Sequence, residues 1–133
     1  MPIIGHGIDL VETGRIRRLV DEHGSRFLDR VFTTDEQAYC ARNPKRYVER
    51  LAVRFAAKEA VLKVLGTGKR GNIAWTDIEV TKLGTGQPRI NLSGDCARLA
   101  RELRIASWHI SLSHIETHAM ASAIGLRADN GSG

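Results

Sequence analysis

Asp9 and Glu59 are carboxylates in surroundings that suit phosphate chemistry. The stretch RFAAKEAVLKVLGTG at 54–68 sets Glu59 among Arg54, Lys58 and Lys63 in a helix-forming, otherwise apolar run that stops at Gly66-Thr67-Gly68. Residues three or four apart share a helix face. Phe55, Glu59, Leu62, Lys63 and Gly66 therefore form one strip, with Arg54, Lys58, Val61 and Leu65 beside it. Taken alone, the segment reads as a helix with a Glu59–Lys63 ion pair and a glycine cap. That account leaves unexplained why polar groups interrupt the most apolar strip. If the helix crosses the strand bearing Asp9, the two acids converge as hard oxygen donors of the kind magnesium takes together with waters and substrate phosphates. Arg54 as a fork and Lys63 as a point charge would then hold the remaining charge of a pyrophosphate.

Competing motifs fail on context. GTGKRG at 66–71 matches G-x-G-x-x-G, but a dinucleotide fingerprint follows a strand and opens a helix, whereas this one follows a helix. A Walker-type G-x-x-x-x-G-K-[ST] is absent. The glycines could still offer backbone N–H groups to an anion. His114 to His118 spell H-x-E-x-H at an expected strand turn, not the H-E-x-x-H of a zinc helix. Ser111 and Ser113 beside His114 lack the elbow of a serine nucleophile. His114 is either a hydrogen-bonded structural histidine or a phosphate contact.

The elements that must position these groups follow from the pattern. Residues 3–11 alternate as a strand, with Ile4, His6, Ile8 and Leu10 on one face and Gly5, Gly7 and Asp9 on the other, where the glycines leave room for close approach. A short helix is expected over 12–22, with Arg15, Arg17 and Arg18 outward. Thr33 and Glu36 stand at capping-box spacing. Pro44 opens the longest helix, 45–65. Strands are expected at 75–82 and 88–92 around the turn LGTGQP, then a helix from Ser93 to 104 whose Arg98, Arg101 and Arg104 make a solvated face. Strands at 106–114 and 117–126 follow; in the second, Ala119, Ala121, Ala123 and Gly125 form a small-residue face for a helix or another subunit. The fold class is α+β, one domain over 1–126, an antiparallel sheet packed with a long helix, and 127–133 is expected to be a disordered tail.

Composition agrees with a globular protein of 133 residues, 42% hydrophobic and 26% charged. No apolar run approaches the roughly 18–20 residues that span a bilayer, so no membrane partner is expected. The start MPIIGHGIDL has neither the cationic end nor the long apolar stretch of a signal peptide. Cys40 and Cys96 show no metal-ligand spacing and imply no disulfide framework, so a reduced, cytoplasmic protein is expected. The net charge of +5 favours an anionic partner. Aromatic content is only 5% and RNA-recognition or zinc-finger patterns are absent, which argues against nucleic acid.

GIDLVETGRI at 7–16, the 54–68 stretch, WTDIEV at 75–80, GQP at 86–88 and SLSH at 111–114 occur in this order. Together they resemble the bacterial holo-acyl-carrier-protein synthases, small 4′-phosphopantetheinyl transferases, over residues 3–126. The resemblance implies magnesium-dependent transfer of 4′-phosphopantetheine from coenzyme A to a serine of apo acyl carrier protein, in support of fatty acid biosynthesis. It implies that Asp9 and Glu59 bind the metal and that Lys63 contacts phosphate. Arg54 and His114 would lie near coenzyme A phosphates, beside Gly66 and Gly68. It further implies a homotrimer with coenzyme A at subunit interfaces, Gly86 and Pro88 being presented by a neighbouring subunit, and carrier docking through Arg15. Arg18, one turn later, would assist. The general base stays open among Asp9, Glu59 and a metal-bound water. Thr13-Gly14 replaces bulkier residues of the family, which would loosen the docking helix, and His118 stands where an aromatic is common.

Overall fold

The computed structural model describes residues 2–66, 73–82 and 84–128. Three long strands, β1 (Ile3–Glu12), β4 (Ile105–His114) and β5 (His118–Arg127), form an antiparallel sheet in the order β1-β5-β4. A hairpin of β2 (Ile78–Lys82) and β3 (Pro88–Leu92) makes a second, two-stranded sheet. Helices α1 (Thr13–His23), α2 (Ser25–Val31), α3 (Thr34–Ala41), α4 (Tyr47–Leu65) and α5 (Gly94–Glu102) complete the domain. The α+β reading is correct.

Nineteen residues long, α4 is buried nearly all round, which suits a helix apolar on every side. One side lies on the large sheet, where β5 contributes the small residues Ala119, Ala121, Ala123 and Gly125. On β1, Gly7 makes the apposition possible: a Cβ there would stand 2.2 Å from the Ala60 carbonyl oxygen. The other side of α4 meets α1, α3 and β2. The helix ends on Gly66, whose φ of 76° is left-handed and whose N–H donates to the Leu62 carbonyl.

Several local expectations are met and others are corrected. The α3 capping box forms between Thr33 and Glu36. Pro44 opens a 3-10 turn, Pro44–Arg46, before α4 begins at Tyr47. Trp75–Asp77, expected as strand, is a 3-10 turn, because the Asp77 carboxylate accepts from the Ala74 N–H and the Trp75 ring stacks on Phe55 with centroids 5.1 Å apart. Helix α2 has no counterpart among the expected elements. Arg127, assigned to a tail, closes β5 and donates its N–H to the Pro2 carbonyl; 129–133 lie outside the described residues. Thr13 does not loosen α1. It is buried, its hydroxyl donates to the Glu116 carbonyl at 2.6 Å, and its N–H donates to the Thr117 carbonyl.

Lys58, fully buried, ties the layers together. Its ammonium donates to Glu36 Oε1 at 2.8 Å and to the carbonyls of Trp75 and Ile78. Glu36 Oε2 accepts from the Val80 N–H, so one capping carboxylate joins α3, α4 and β2. Burial lowers the Lys58 pKa while Glu36 opposes that shift.

Candidate active site

The expected site residues fall into two groups on different sides of α4. The first contains Asp9, Glu59 and Lys63. Strand β1 turns Asp9 toward α4, and the bare backbone of Gly7 allows the helix to carry Glu59 alongside. Lys63 leaves the helix for the strand: its ammonium donates to the Ile8 carbonyl at 2.7 Å and stands 3.4 Å from Asp9 Oδ1, in place of the Glu59–Lys63 pair that helical spacing suggests. Arg15, in the first turn of α1, lies over the Phe55 ring, 5.5 Å from its centroid and one helical turn before Glu59.

Burial pushes the Asp9 carboxyl above its ordinary value, opposed by Lys63 and Arg15. Glu59 is raised likewise, first by burial and then by the charge of Asp9, with Arg15 and Lys63 opposing. Two partly buried carboxylates that repel each other, flanked by two cations, suit a small divalent cation and an anion bound to it. Asp9 and Glu59 are the residues that could hold such a metal, and its other positions would be left to water or substrate oxygens. Gly66 caps the same helix one turn beyond Lys63; Gly68 lies outside the described residues.

The second group lines a cavity of about 710 Å³. Arg54, Gly86, Pro88 and His114 meet there, joined by Arg46, Arg50 and Lys82, which sequence reasoning did not single out. Arg46, at the N-cap of α4, and Arg50 and Arg54, in its first half, recur every four residues, a spacing legible in the sequence. Asp9, Glu59 and Lys63 are not among the cavity's lining residues.

Arg54 is only 2% exposed, and its Nε is buried with no hydrogen-bond partner among the described residues. One terminal nitrogen donates to the Arg50 carbonyl, and the guanidinium lies 4.5 Å from the Tyr39 ring centroid. Arg50 at 4.6 Å and Lys82 at 5.4 Å approach the same ring. A hydrogen bond with Lys82 lowers the Tyr39 pKa. At the cavity edge His114 Nδ1 lies 2.7 Å from Glu49 Oε1, and Arg46 Nη1 donates to Glu49 Oε2 at 3.1 Å. Five cationic or potentially cationic side chains around one cavity, one with an unpartnered buried donor, make a receptor for a ligand with several negative charges.

The two docking candidates, both exposed, share a shallow cleft with Leu10 and His118, and Arg15 also belongs to the surroundings of the acid pair. On the outer face of the large sheet Ile8, Leu10 and Met120 are 53%, 62% and 43% exposed, an apolar surface that a lone globular chain seldom presents.

The 4′-phosphopantetheinyl transferase superfamily matches residues 5–123. A holo-[acyl-carrier-protein] synthase of Trichlorobacter lovleyi is 48% identical over 122 residues, 92% of this chain and 96% of the relative. The holo-[acyl-carrier-protein] synthase structure from Neisseria meningitidis superposes with a TM-score of 0.86 at 32% identity, covering 95% of this chain and all of that one. The Helicobacter pylori synthase in complex with coenzyme A superposes with a TM-score of 0.79 at 30% identity, covering 91% of this chain and 99% of that one. An acid pair and a polycationic cavity on such a fold, in a sequence matched along nearly its whole length, lead to one conclusion: the chain belongs to the 4′-phosphopantetheinyl transferase superfamily, as one of its holo-acyl-carrier-protein synthases.

Proposed function

We propose that this chain transfers 4′-phosphopantetheine from coenzyme A to a serine of an apo acyl carrier protein, with Asp9 and Glu59 holding magnesium, and so supplies the carrier used in fatty acid synthesis. The observation that carries the reading is the division of charge across α4. An acid pair suited to a divalent cation lies on one side, and a cavity whose buried Arg54 keeps an unpartnered Nε lies on the other. Coenzyme A is the substrate that needs both, because it carries a pyrophosphate and a separate 3′-phosphate.

The serine Oγ attacks the β-phosphorus, the phosphoanhydride bond breaks, and adenosine 3′,5′-bisphosphate leaves with the bond's electron pair. Magnesium, when bound, would neutralise charge on the pyrophosphate oxygens. Lys63 holds Asp9 in place and adds positive charge beside the pyrophosphate. Arg54 and His114 bind the nucleotide end and fix the phosphorus in line with the incoming hydroxyl. The serine proton passes to a carboxylate of the acid pair or to water. Arg15 and Arg18 face the acidic carrier, Arg15 being the one close enough to the acid pair to couple docking to chemistry.

A homotrimer would unite the two groups, the cavity of one copy lying against the acid pair of the next. The separation of the half-sites within one chain and the exposed Ile8, Leu10 and Met120 support that assembly. The test of the reading is the intact mass of apo acyl carrier protein after incubation with this protein, coenzyme A and magnesium. One added phosphopantetheine is expected, absent with a chelator and with Asp9→Asn or Glu59→Gln. No addition to any of several carriers by folded protein refutes it.

A further inference from the structure

We infer that Glu49 is a positioning residue for the anion cavity: from one layer behind the cavity wall it fixes the orientation of His114 and Arg46, so that both present donors to a phosphate of the bound nucleotide. The inference rests on the coenzyme A reading above.

Glu49 lies in the first turn of α4, and its side chain is 8% exposed. Both carboxylate oxygens are engaged. His114 Nδ1 is 2.7 Å from Oε1, across 65 residues of sequence, and Arg46 Nη1 donates to Oε2 at 3.1 Å. His114 and Arg46 line the large cavity, and Glu49 does not; it opens onto an adjoining cavity that Arg46 also lines. The difference in position matters, because a carboxylate in the wall of the anion cavity would repel a phosphate, whereas one placed behind two cations aims them at it.

The hydrogen bond with His114, followed by the one from Arg46, holds the Glu49 carboxyl below its ordinary value, so it is an ionised, accepting partner. Nδ1 of His114 must then carry a proton, because its partner is an accepting carboxylate. Nε2 is the nitrogen left for the cavity, and it donates there in the doubly protonated ring, an imidazolium held between Glu49 and a phosphate. Arg46 is 58% exposed and spends part of its fork on Glu49, leaving further donors outward. A simple surface ion pair accounts for neither the burial of Glu49 nor the placing of both its partners on the rim of one cavity.

The experiment is calorimetric titration of coenzyme A and of adenosine 3′,5′-bisphosphate into wild type, Glu49→Gln, His114→Gln and the double variant, together with 15N spectra of the imidazoles. Wild type binds both nucleotides. Glu49→Gln weakens each by about tenfold to a hundredfold, the scale of one charge-assisted hydrogen bond. In turnover the loss falls on KM for coenzyme A rather than on KM for the carrier. The double variant is much less than multiplicatively worse than His114→Gln, because both changes remove one arrangement. The His114 signal, assigned within the wild-type protein itself, reports protonated Nδ1, a readout that needs no variant to fold. Wild-type affinity in Glu49→Gln, fully multiplicative losses, or a His114 protonated at Nε2 alone overturns the positioning role. Failure of wild type to bind either nucleotide overturns the proposed function and the positioning role with it.

Discussion

Gly7→Ala tests the apposition on which the acid pair depends. A Cβ at position 7 would stand 2.2 Å from the Ala60 carbonyl oxygen and 3.1 Å from both Ala60 C and Lys63 Cβ. Real Cβ contacts do not fall below 3.0 Å, so β1 and α4 must part by about 0.8 Å. The nearest obstacle is backbone inside a buried helix, which no rotamer change can move. Overpacking of this kind costs about 3 kcal/mol. The lower chain entropy of alanine in the unfolded state offsets about 1 kcal/mol, leaving about 2 kcal/mol of net destabilisation. For a chain of this size that lowers Tm by roughly 6–10 °C at fixed protein concentration. The same displacement separates Asp9, two residues along β1, from Glu59, the neighbour of Ala60. A misplacement approaching 1 Å is expected to lower turnover by about a hundredfold. Gly5→Ala is the control: its Cβ meets the Val64 Cγ1 methyl at 3.2 Å, and a side chain can yield by a few tenths of an ångström. Urea denaturation gives the stability, and the carrier mass shift at saturating coenzyme A gives the turnover. If Gly7→Ala matches Gly5→Ala in both, close backbone contact is not what seats the acid pair.

Three further outcomes follow from the charges on α4. Glu59 has its carboxyl raised above the ordinary 4.5, so its contribution to stability is present below that value and is lost as pH rises through the raised one. In chelator, Glu59→Gln is therefore expected to flatten the fall in stability above about pH 4.5 and to melt above wild type at neutral pH, while transferring no phosphopantetheine. Lys58→Met leaves the Glu36 carboxylate buried without its counter-charge and is expected to cost about 3–5 kcal/mol in urea unfolding. Adding Glu36→Leu should recover much of that, short of the bonds Glu36 accepts from Thr33 and Val80. Arg54→Met removes a buried Nε donor that has no partner along with a bond to the Arg50 carbonyl and a ring contact with Tyr39, so thermal stability without ligand should change little, while calorimetry should show coenzyme A binding weakened by about tenfold or more.

The parts of the fold legible in the sequence were those that carry their own local signal. Alternation with glycine on one face announced β1 and its close approach, the alanine ladder announced the face of β5 beneath α4, and the capping box announced α3. Helix α2 was not legible: it has seven residues, and its N-terminus is Gly24 with no side-chain cap. The convergence of Asp9 and Glu59 could be inferred only by supposing that α4 crosses β1, which it does. Glu49 gave no signal, because a first-turn glutamate on a helix is ordinarily solvated and its partner His114 arrives from the far end of the chain. Lys58 shows the same limit. Its sequence neighbours suggest one more cation for a ligand, but the counter-ion that buries it is the capping residue Glu36, whose role in α3 looked complete without it.

The four charged residues between 54 and 63 now have separate explanations. Successive positions on a helix point about 100° apart, so an apolar helix can carry several charges if each meets a different receptor. Arg54 faces the anion cavity, Lys58 enters the core against Glu36, Glu59 meets Asp9, and Lys63 reaches over to β1. Had Arg54 shared a pocket with Glu59, the guanidinium fork and the carboxylate would have satisfied each other and shut out the pyrophosphate. Keeping them on opposite sides of α4 leaves each half-site incomplete, seen as raised carboxyls on one side and an unpartnered Arg54 Nε on the other. Both tensions lower the stability of the free protein, and under the proposed function a ligand bearing phosphate and metal would relieve both. Under the proposed trimer that relief requires a second copy, so binding of coenzyme A should strengthen assembly. The expected result is a shift of sedimentation toward the trimer on adding coenzyme A and magnesium to a variant weakened at the sheet face, such as Ile8→Ala, by the same factor with which assembly tightens coenzyme A binding. Sedimentation indifferent to the ligand at concentrations where it binds would place both halves of the site within one chain.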